Sequence, residues 1–463
     1  MVWQRRYYKP SGAFDSYGVA VDSRGNVYVS GYASTGSNND FLLLKYNSSG
    51  DTAWIKKYDC GIGDFGMGIA VDHAGYIYMT GQSWNGANWD FLTFKCNASG
   101  ETLWQMRYDG GSGDGGFGIA VERAAGESGN VYVSGTSTAD DFGDYFLIKY
   151  DASGNTVWCR RYDRSIWDHG YGVAVDGCGN VCMTGYTLGT NIRDYLTVKY
   201  DSSGNTVWER IYDSGHDDAS IGIAVDSSNS VYVTGQSWNG TNWDYLTVKY
   251  NSNGDTIWVK RYDRGETDLG YAIAVDSYNN IYVTGQSWNG TSYDFLTIKY
   301  NSSGDVLWVK SYDGGETDGG YAIAVDPMGY VYVTGQSWNG VNYEYLTIKY
   351  LQHLTPGVVP SGIAGEVRIG STGGKGIVYA EKGEQAVISF KPASAGKVSV
   401  RIYTLNGLKV WEREYDSPGP DDLHNFILWD CNNIEGGNAC SGTYLVYVEG
   451  PGIKAVKKVL IMR

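Results

Sequence analysis

One tryptophan recurs along the first three quarters of the chain at intervals of 50–54 residues. Two further markers recur in step with it, an Ala-Val-acid triplet and a Ser-Gly or Thr-Gly pair before a predicted turn, and each occurs seven times. The recurring tryptophans are Trp3, Trp54, Trp104, Trp158, Trp208, Trp258 and Trp308. Self-similarity at a fixed period of this length indicates an array of structural units that bury their apolar faces against one another.

The sequence pattern of each unit predicts four short strands separated by glycine and asparagine turns. In one unit these strands are Tyr271–Asp276, Ile281–Gly285, Asp294–Tyr300 and Val306–Tyr312. Four strands in about 50 residues, with apolar residues on both faces, are typical of a propeller blade. The sequence therefore predicts an all-β protein whose residues 1–350 form a seven-bladed β-propeller of four-stranded blades. A β-helix is the alternative, but its rungs are much shorter.

The phase of the repeat predicts how the ring closes. The chain begins with the sequence of a fourth strand, and the last unit ends after its third strand at Tyr350. We therefore expect residues 2–7 to complete the blade begun by residues 321–350, which removes a free sheet edge. The first residues lack the apolar segment of a signal peptide. Because seven blades need nothing upstream, we expect that such a peptide was removed or lies outside this chain.

The units carry three strand motifs, Asn-Val-Tyr-Val-Thr-Gly-like, Asp-x-Leu-x-x-Lys-Tyr and Ala-Val-Asp. By these motifs, residues 1–350 resemble the bacterial seven-bladed β-propeller repeat (SBBP) family. The resemblance implies the same propeller fold.

Composition changes after Tyr350, because six of the eight prolines follow it. The sequence of residues 351–365 predicts a linker. The sequence of residues 366–463 predicts six or seven short strands in a small immunoglobulin-like β-sandwich. This segment resembles FlgD-type immunoglobulin-like domains and C-terminal sorting modules of secreted bacterial proteins through Val400–Gly407, Trp429-Asp430, Ser441–Tyr444 and Lys457–Arg463. The resemblance implies a role in export or attachment. Cys431 and Cys440 depart from the pattern and flank one loop, which predicts either a disulfide or two unpaired thiols.

Charge and motif content exclude several function classes. The net charge of −15 disfavours binding to nucleic acid and to anionic membranes. No run approaches the roughly 18 apolar residues of a membrane span. The sequence contains no nucleophile elbow and no phosphate loop, and its five histidines lie at unrelated repeat positions. We therefore expect a protein that is not an enzyme. The alternative is an extracellular polysaccharide hydrolase or lyase that uses a pair of aspartates.

The segment between the second and third strands has the sequence Gln-Ser-Trp-Asn-Gly in four units, followed by an aromatic and an acidic residue. Aromatic rings stack on the apolar faces of sugars, while amides and carboxylates bind hydroxyls. This pattern predicts a multivalent glycan-binding face. The candidate ligand-binding residues are Trp84, Asn85, Trp89, Asp90, Trp238, Asn239, Trp243, Asp244, Trp288, Asn289, Asp294, Trp338 and Asn339. The tryptophan is missing from three units, so we expect its ring to be at least partly exposed.

The loop that enters each blade carries two aspartates five residues apart in six units. The second of each pair is a candidate calcium ligand, because calcium prefers oxygen; no other cofactor is expected. These candidates are Asp64, Asp114, Asp168, Asp218, Asp268 and Asp318. Propeller geometry places both loop classes on one face. The alternative is that the near-identical loops record duplication and that the acids hold turns or backbone amides.

Together these features predict a secreted or cell-surface binding and scaffold protein. Its expected partners are glycans or other cell-surface molecules, with neither nucleic acid binding nor membrane insertion.

Overall fold

The computed structural model describes residues 1–7, 14–34, 38–122, 129–138, 143–164, 167–189, 192–327, 329–350, 367–371, 377–379, 385–390, 392–417, 426–429, 431 and 441–462. The chain divides into two compact units, Met1–Leu351 and Gln352–Arg463. All the regular structure in the described residues is β-strand.

The first unit contains seven four-stranded antiparallel sheets. Sheet 1 comprises β2 (Phe14–Val21), β3 (Val27–Ser34), β4 (Asn39–Tyr46) and β5 (Thr52–Tyr58). Sheet 2 comprises β6 (Asp64–Val71), β7 (Ile77–Trp84), β8 (Trp89–Cys96) and β9 (Thr102–Tyr108). Sheet 3 comprises β10 (Asp114–Val121), β11 (Val131–Ser137), β12 (Asp144–Tyr150) and β13 (Thr156–Tyr162).

The remaining four sheets repeat this order. Sheet 4 comprises β14 (Asp168–Val175), β15 (Val181–Leu188), β16 (Arg193–Tyr200) and β17 (Thr206–Tyr212). Sheet 5 comprises β18 (Asp218–Val225), β19 (Val231–Trp238), β20 (Trp243–Tyr250) and β21 (Thr256–Tyr262). Sheet 6 comprises β22 (Asp268–Val275), β23 (Ile281–Trp288), β24 (Tyr293–Tyr300) and β25 (Val306–Tyr312). Sheet 7 comprises β26 (Asp318–Val325), β27 (Val331–Trp338), β28 (Tyr343–Tyr350) and, from the N-terminus, β1 (Trp3–Tyr7).

The first strands of the seven sheets contact one another in sequence, and β26 of the last sheet contacts β2 of the first. The sheets are therefore propeller-like blades around a common axis. Strand β1 pairs with β28, so that Trp3 lies opposite Lys349 and Tyr7 opposite Tyr345. The pairing predicted from the phase of the repeat is confirmed.

Apolar side chains fill the space between neighbouring sheets. Tyr132 and Leu147 of sheet 3, for example, share one core cluster with Val181 and Leu196 of sheet 4. The second and third strands are buried on both faces, which is why their sequences lack polar alternation. Polar links join the sheets as well: Lys149 Nζ donates to the carbonyl oxygen of Ser202 at 2.8 Å.

The recurring Ser-Gly or Thr-Gly pair lies inside the second strand and not before a turn, which corrects the sequence-based placement. In sheet 6 the register of the first strand shifts between Gly270 and Ala272, so Tyr271 is bulged out of the ladder. Gly285 lies opposite this bulge, and a Cβ there would be 1.9 Å from the carbonyl oxygen of Leu269. The glycine is therefore required by close backbone approach.

The second unit has a three-stranded sheet and a five-stranded sheet. The first contains β29 (Val367–Ser371), β31 (Ala386–Phe390) and β34 (Phe426–Trp429). The second contains β30 (Ile377–Tyr379), β32 (Gly396–Thr404), β33 (Lys409–Ser417), β35 (Gly442–Gly450) and β36 (Ile453–Met462). One hydrophobic core, with Phe390 and Trp429 from the first sheet and Val446 from the second, joins them.

Three predictions for the C-terminal part stay untested. The linker at residues 351–365 and Cys440 lie outside the described residues, so the disulfide remains a prediction, and Cys431 is buried. The immunoglobulin-like assignment also remains a prediction. In the part of the chain that the structure describes, no helix has the length and hydropathy needed to cross a membrane.

Candidate functional site

The four candidate tryptophans end their strands and do not lie in loops, which corrects the predicted strand ends. Trp238, the last residue of β19, pairs across the hairpin with Trp243, the first residue of β20. The same register holds for Trp84, Trp288 and Trp338. The hairpin loop is therefore reduced to four residues, beginning at the asparagine.

Each of these tryptophan rings packs edge to face against its cross-strand aromatic partner. The ring centroids are 5.4 Å apart for Trp84–Trp89, 5.5 Å for Trp238–Trp243, 5.0 Å for Trp288–Tyr293 and 4.9 Å for Trp338–Tyr343. All four tryptophans are half-buried. The pairs thus contribute to the hairpin and still present part of each ring to solvent.

The candidate asparagines hold the hairpin loop together. Asn239 Oδ1 accepts the backbone N–H groups of Thr241 at 2.8 Å and Asn242 at 3.0 Å. Asn239 Nδ2 donates to the carboxylate of Asp244, the acidic residue that follows the loop. Asn85, Asn289 and Asn339 make the same type of contact with their own acidic residues. The side-chain amides of these asparagines are therefore already hydrogen-bonded within the protein.

The candidate acids of this hairpin lie beneath the surface. Asp90 and Asp244 are fully buried, and Asp294 is 6% exposed. Arg107 Nη1 donates to Asp90 Oδ2 at 2.6 Å, and Arg261 Nη1 donates to Asp244 Oδ2 at 2.7 Å. These carboxylates are shielded from solvent, and arginine engages two of them; glycan binding by this hairpin stays a prediction.

The acids of the entering loops hold turns, as the alternative interpretation of the sequence stated. All six candidates are buried, and in each case the carboxylate accepts the backbone N–H of the residue four positions earlier. Ser214 N, for example, donates to Asp218 Oδ2 at 2.8 Å. Burial raises the pKa of Asp218 above its usual value.

A third acid joins each of these pairs. The first aspartate of the third strand, the aspartate of the entering loop and the first residue of the next sheet bring carboxylate oxygens within 4.8 Å of one another. Five of the triads are Asp40-Asp59-Asp64, Asp90-Asp109-Asp114, Asp144-Asp163-Asp168, Asp194-Asp213-Asp218 and Asp244-Asp263-Asp268. The sequence pattern does not group these three acids, although an acid stands near the start of every third strand. Their convergence places both loop classes on one face, as predicted.

A cavity of about 530 Å³ lies on the axis of the first unit. All seven first strands line it, and the bulged residues contribute its largest side chains: Tyr17, Met67, Phe117, Tyr171, Ile221, Tyr271 and Tyr321. Tyr17 stacks on Tyr321 with ring centroids 5.4 Å apart. Burial raises the pKa of Tyr171 to about 12. The described lining contains no carboxylate, histidine or cysteine, so it suits an apolar or aromatic group better than acid–base chemistry.

Comparison with known proteins supports the repeat. Residues 257–293 match the SBBP family model, described as a beta-propeller repeat. No curated protein matches the chain. Among solved structures, PorZ, a surface component of the type IX secretion system of Porphyromonas gingivalis, has 15% identity and a TM-score of 0.45 over 96% of this chain and 59% of that chain. The chain thus spans less than two thirds of that protein.

Two further structures illustrate the range of propellers that the chain is similar to. The periplasmic gluconolactonase PpgL of Pseudomonas aeruginosa has 10% identity and a TM-score of 0.47 over 72% of this chain and 94% of that chain. Sqt1 of Chaetomium thermophilum has 12% identity and a TM-score of 0.45 over 82% of this chain and 93% of that chain.

Proposed function

We propose that this chain, which carries a beta-propeller repeat of the SBBP family at residues 257–293, is a secreted or cell-surface binding protein and not an enzyme. In this proposal the seven sheets are the blades of one seven-bladed propeller. The observation that carries the proposal is the repeated aromatic pair: four sheets present a half-buried tryptophan at the same register position of the same hairpin.

The ligand that fits such pairs is a glycan with several sugar units. A partly exposed indole offers an apolar surface on which a sugar ring stacks. The acids and amides of the hairpin are engaged by the protein, so each site binds weakly and through stacking. Three of the four pairs belong to the consecutive sheets 5, 6 and 7. A polysaccharide that contacts neighbouring pairs gains affinity through effective concentration.

Two observations favour binding over catalysis. The described lining of the axial cavity has no carboxylate pair of the kind that glycoside hydrolysis uses. The carboxylates that do converge are repeated from sheet to sheet and accept backbone hydrogen bonds from their own turns. Repetition of the same turn-holding acid suits structure better than one active centre.

In this proposal the second unit has a role separate from ligand binding. Its two sheets and common core form an independent compact unit, which suits a role in export or attachment separate from ligand binding. Fractionation of the producing cells tests the location. We expect the full chain outside the cell or on its surface, and retention in the cytoplasm would contradict the proposal.

A glycan array tests the binding function. The full chain is compared with a triple variant, Trp238→Ala, Trp288→Ala and Trp338→Ala. We expect the triple variant to lose at least tenfold in binding, because three stacking sites disappear together. Trp167→Ala is the control: this tryptophan is 44% exposed and stacks on His169 of its own strand region, not on a partner across a hairpin. The proposal fails if no glycan binds, or if the triple variant and the control bind as well as the unaltered chain.

A further inference from the structure

The acid triads differ from sheet to sheet in how their negative charge is compensated. In sheets 1, 2, 3 and 5 a basic side chain of the fourth strand pairs with the acid of the third strand. These pairs are Lys57–Asp40, Arg107–Asp90, Arg161–Asp144 and Arg261–Asp244. The protein thus supplies its own cation to each of these four triads.

Sheet 4 lacks this cation. Ile211 lies opposite Leu196 in the same register in which Arg261 lies opposite Leu246. The amide donor is missing as well, since Gly189 takes the position of the hairpin asparagine. As a result Asp194 Oδ1 is buried and has no hydrogen-bond partner.

The other members of this triad also leave oxygens available. Asp218 is fully buried, and its Oδ2 accepts the N–H of Ser214. Its Oδ1 is buried near the Ser237 hydroxyl and is otherwise without a hydrogen-bond partner, as is the same oxygen of Asp64, Asp114, Asp268 and Asp318. Asp213 is exposed, so the triad is open to solvent on one side.

The neighbouring Arg193 of sheet 4 is engaged by an acid outside the triad. Arg193 makes a two-pronged ion pair with Asp217, with Nη2 2.6 Å from Oδ2 and Nε 3.0 Å from Oδ1. Burial, together with the charges of Asp213, Asp218 and Asp217, raises the pKa of Asp194 to about 6. Among the described residues, no ion pair joins a basic side chain to any of these three acids; Arg261, whose charge acts on Asp218, is itself paired with Asp244 of sheet 5.

We propose that Asp194, Asp213 and Asp218 bind one calcium ion, which takes the place that a lysine or arginine side chain occupies in sheets 1, 2, 3 and 5. Calcium binds carboxylate oxygens at 2.3–2.6 Å, so oxygens that lie within 4.8 Å of one another can share one ion. A ligand set made only of carboxylates suits calcium better than zinc, which prefers nitrogen and sulfur.

Sheet 6 also lacks the basic residue, but this absence alone does not leave the acid of its third strand without a hydrogen-bond donor. Ser311 stands at the basic position there, but Asn289 Nδ2 still donates to both carboxylate oxygens of Asp294, at 3.0 and 3.1 Å. Only in sheet 4, among the described sheets, are the basic side chain and the amide replaced together.

Calorimetric titration of the EDTA-treated full chain with calcium chloride alone, in 150 mM sodium chloride, tests the proposal. We expect one ion per chain. Asp194→Asn should weaken binding at least tenfold, because it removes a charged ligand without changing the volume. The matched control is Asp144→Asn, at the same position of sheet 3, which should leave calcium binding unchanged.

A second variant replaces the missing cation. Ile211 is 37% exposed, so Ile211→Arg can place a guanidinium at the position of Arg261 without loss of the core. We expect it to weaken calcium binding at least tenfold. Circular dichroism verifies that each variant is folded; if Ile211→Arg does not fold, the isosteric Asp194→Asn decides.

Three results would overturn the proposal: no calcium bound by the unaltered chain, undiminished binding by Asp194→Asn, or equal weakening by Asp194→Asn and Asp144→Asn. The titration contains no glycan, so its failure leaves the proposed glycan binding untouched, and the reverse also holds.

Discussion

Trp3 of sheet 7 packs against Tyr46 of sheet 1, with ring centroids 6.1 Å apart. The two residues are neighbours only because the first strand of the chain completes the last sheet. Arg5 extends the same contact, since its Nε donates to the carbonyl oxygen of Gly50 at 2.5 Å. The N-terminal strand therefore joins the last sheet to the first.

Deletion of residues 1–7 tests this closure. The deletion removes the ladder with β28, exposes an edge strand and takes Trp3 out of a buried cluster. We expect a loss of about 3–5 kcal/mol in the free energy of unfolding, as for removal of one large core side chain, together with aggregation. Thermal melting and size-exclusion chromatography measure both effects. Gln4→Ala, an exposed change on the same strand, is the control, and equal melting of the two variants would contradict the closure.

Gly285→Ala tests the bulge that the seven sheets share. A Cβ at this position would lie 1.9 Å from the carbonyl oxygen of Leu269, a backbone atom that cannot move away cheaply. We expect a cost above about 3 kcal/mol, in the range of severe core disruptions. Gly290→Ala is the control: this glycine has φ = 101° but nothing within 4 Å, so strain alone acts there. Denaturant unfolding compares the two, and a similar cost for both would refute the packing argument.

Replacement of single tryptophans separates the surface pairs from the core. Trp208 is 7% exposed, whereas Trp288 is half-buried against Tyr293. We expect Trp208→Ala to cost about 3–5 kcal/mol and Trp288→Ala only about 1–2 kcal/mol, close to the value of one aromatic pair. Chemical denaturation measures both variants. Equal losses would identify the surface tryptophans as packing residues and remove the basis for the binding face.

Because Lys299 is buried, we expect the free energy of unfolding to depend on pH. Burial lowers the pKa of Lys299 to about 8 in the folded chain, although the charge of Asp276 opposes this effect. The unfolded chain keeps a pKa near 10.4 and therefore binds more protons between these values. This contribution to stability consequently rises with pH above about 8, by about 1–2 kcal/mol up to pH 9.5.

Lys299→Met removes that proton from both states. We expect a smaller rise in the free energy of unfolding between pH 8 and 9.5 than in the unaltered chain, with each stability taken from denaturant unfolding. Below pH 7 the free energy of unfolding should change with pH equally in the variant and in the unaltered chain, because Lys299 is protonated in both the folded and the unfolded state there. Identical slopes throughout the range would contradict the assigned burial effect.

The sequence by itself determined the strands, the order of the sheets and the closing strand. Strand period, turn residues and the phase of a repeat are local properties, and seven copies of one pattern reinforce each other. The same reasoning placed the glycine pair before a turn and the tryptophans in a loop. Both placements were wrong because a bulge and a longer hairpin register depend on the neighbouring strand.

Only the tertiary structure decided which acids meet and which of them carry a compensating charge. Asp194, Asp213 and Asp218 come from a strand, a loop and the next sheet, so the recurring acids indicate a shared face but not that the three carboxylates meet. Asp244 likewise has a compensating charge only because Arg261 reaches it across a strand pair. The electrostatic state of a carboxylate is set by burial and by the charges around it in space. The repeat thus encoded seven similar sheets, while the packing between strands and sheets made sheet 4 different.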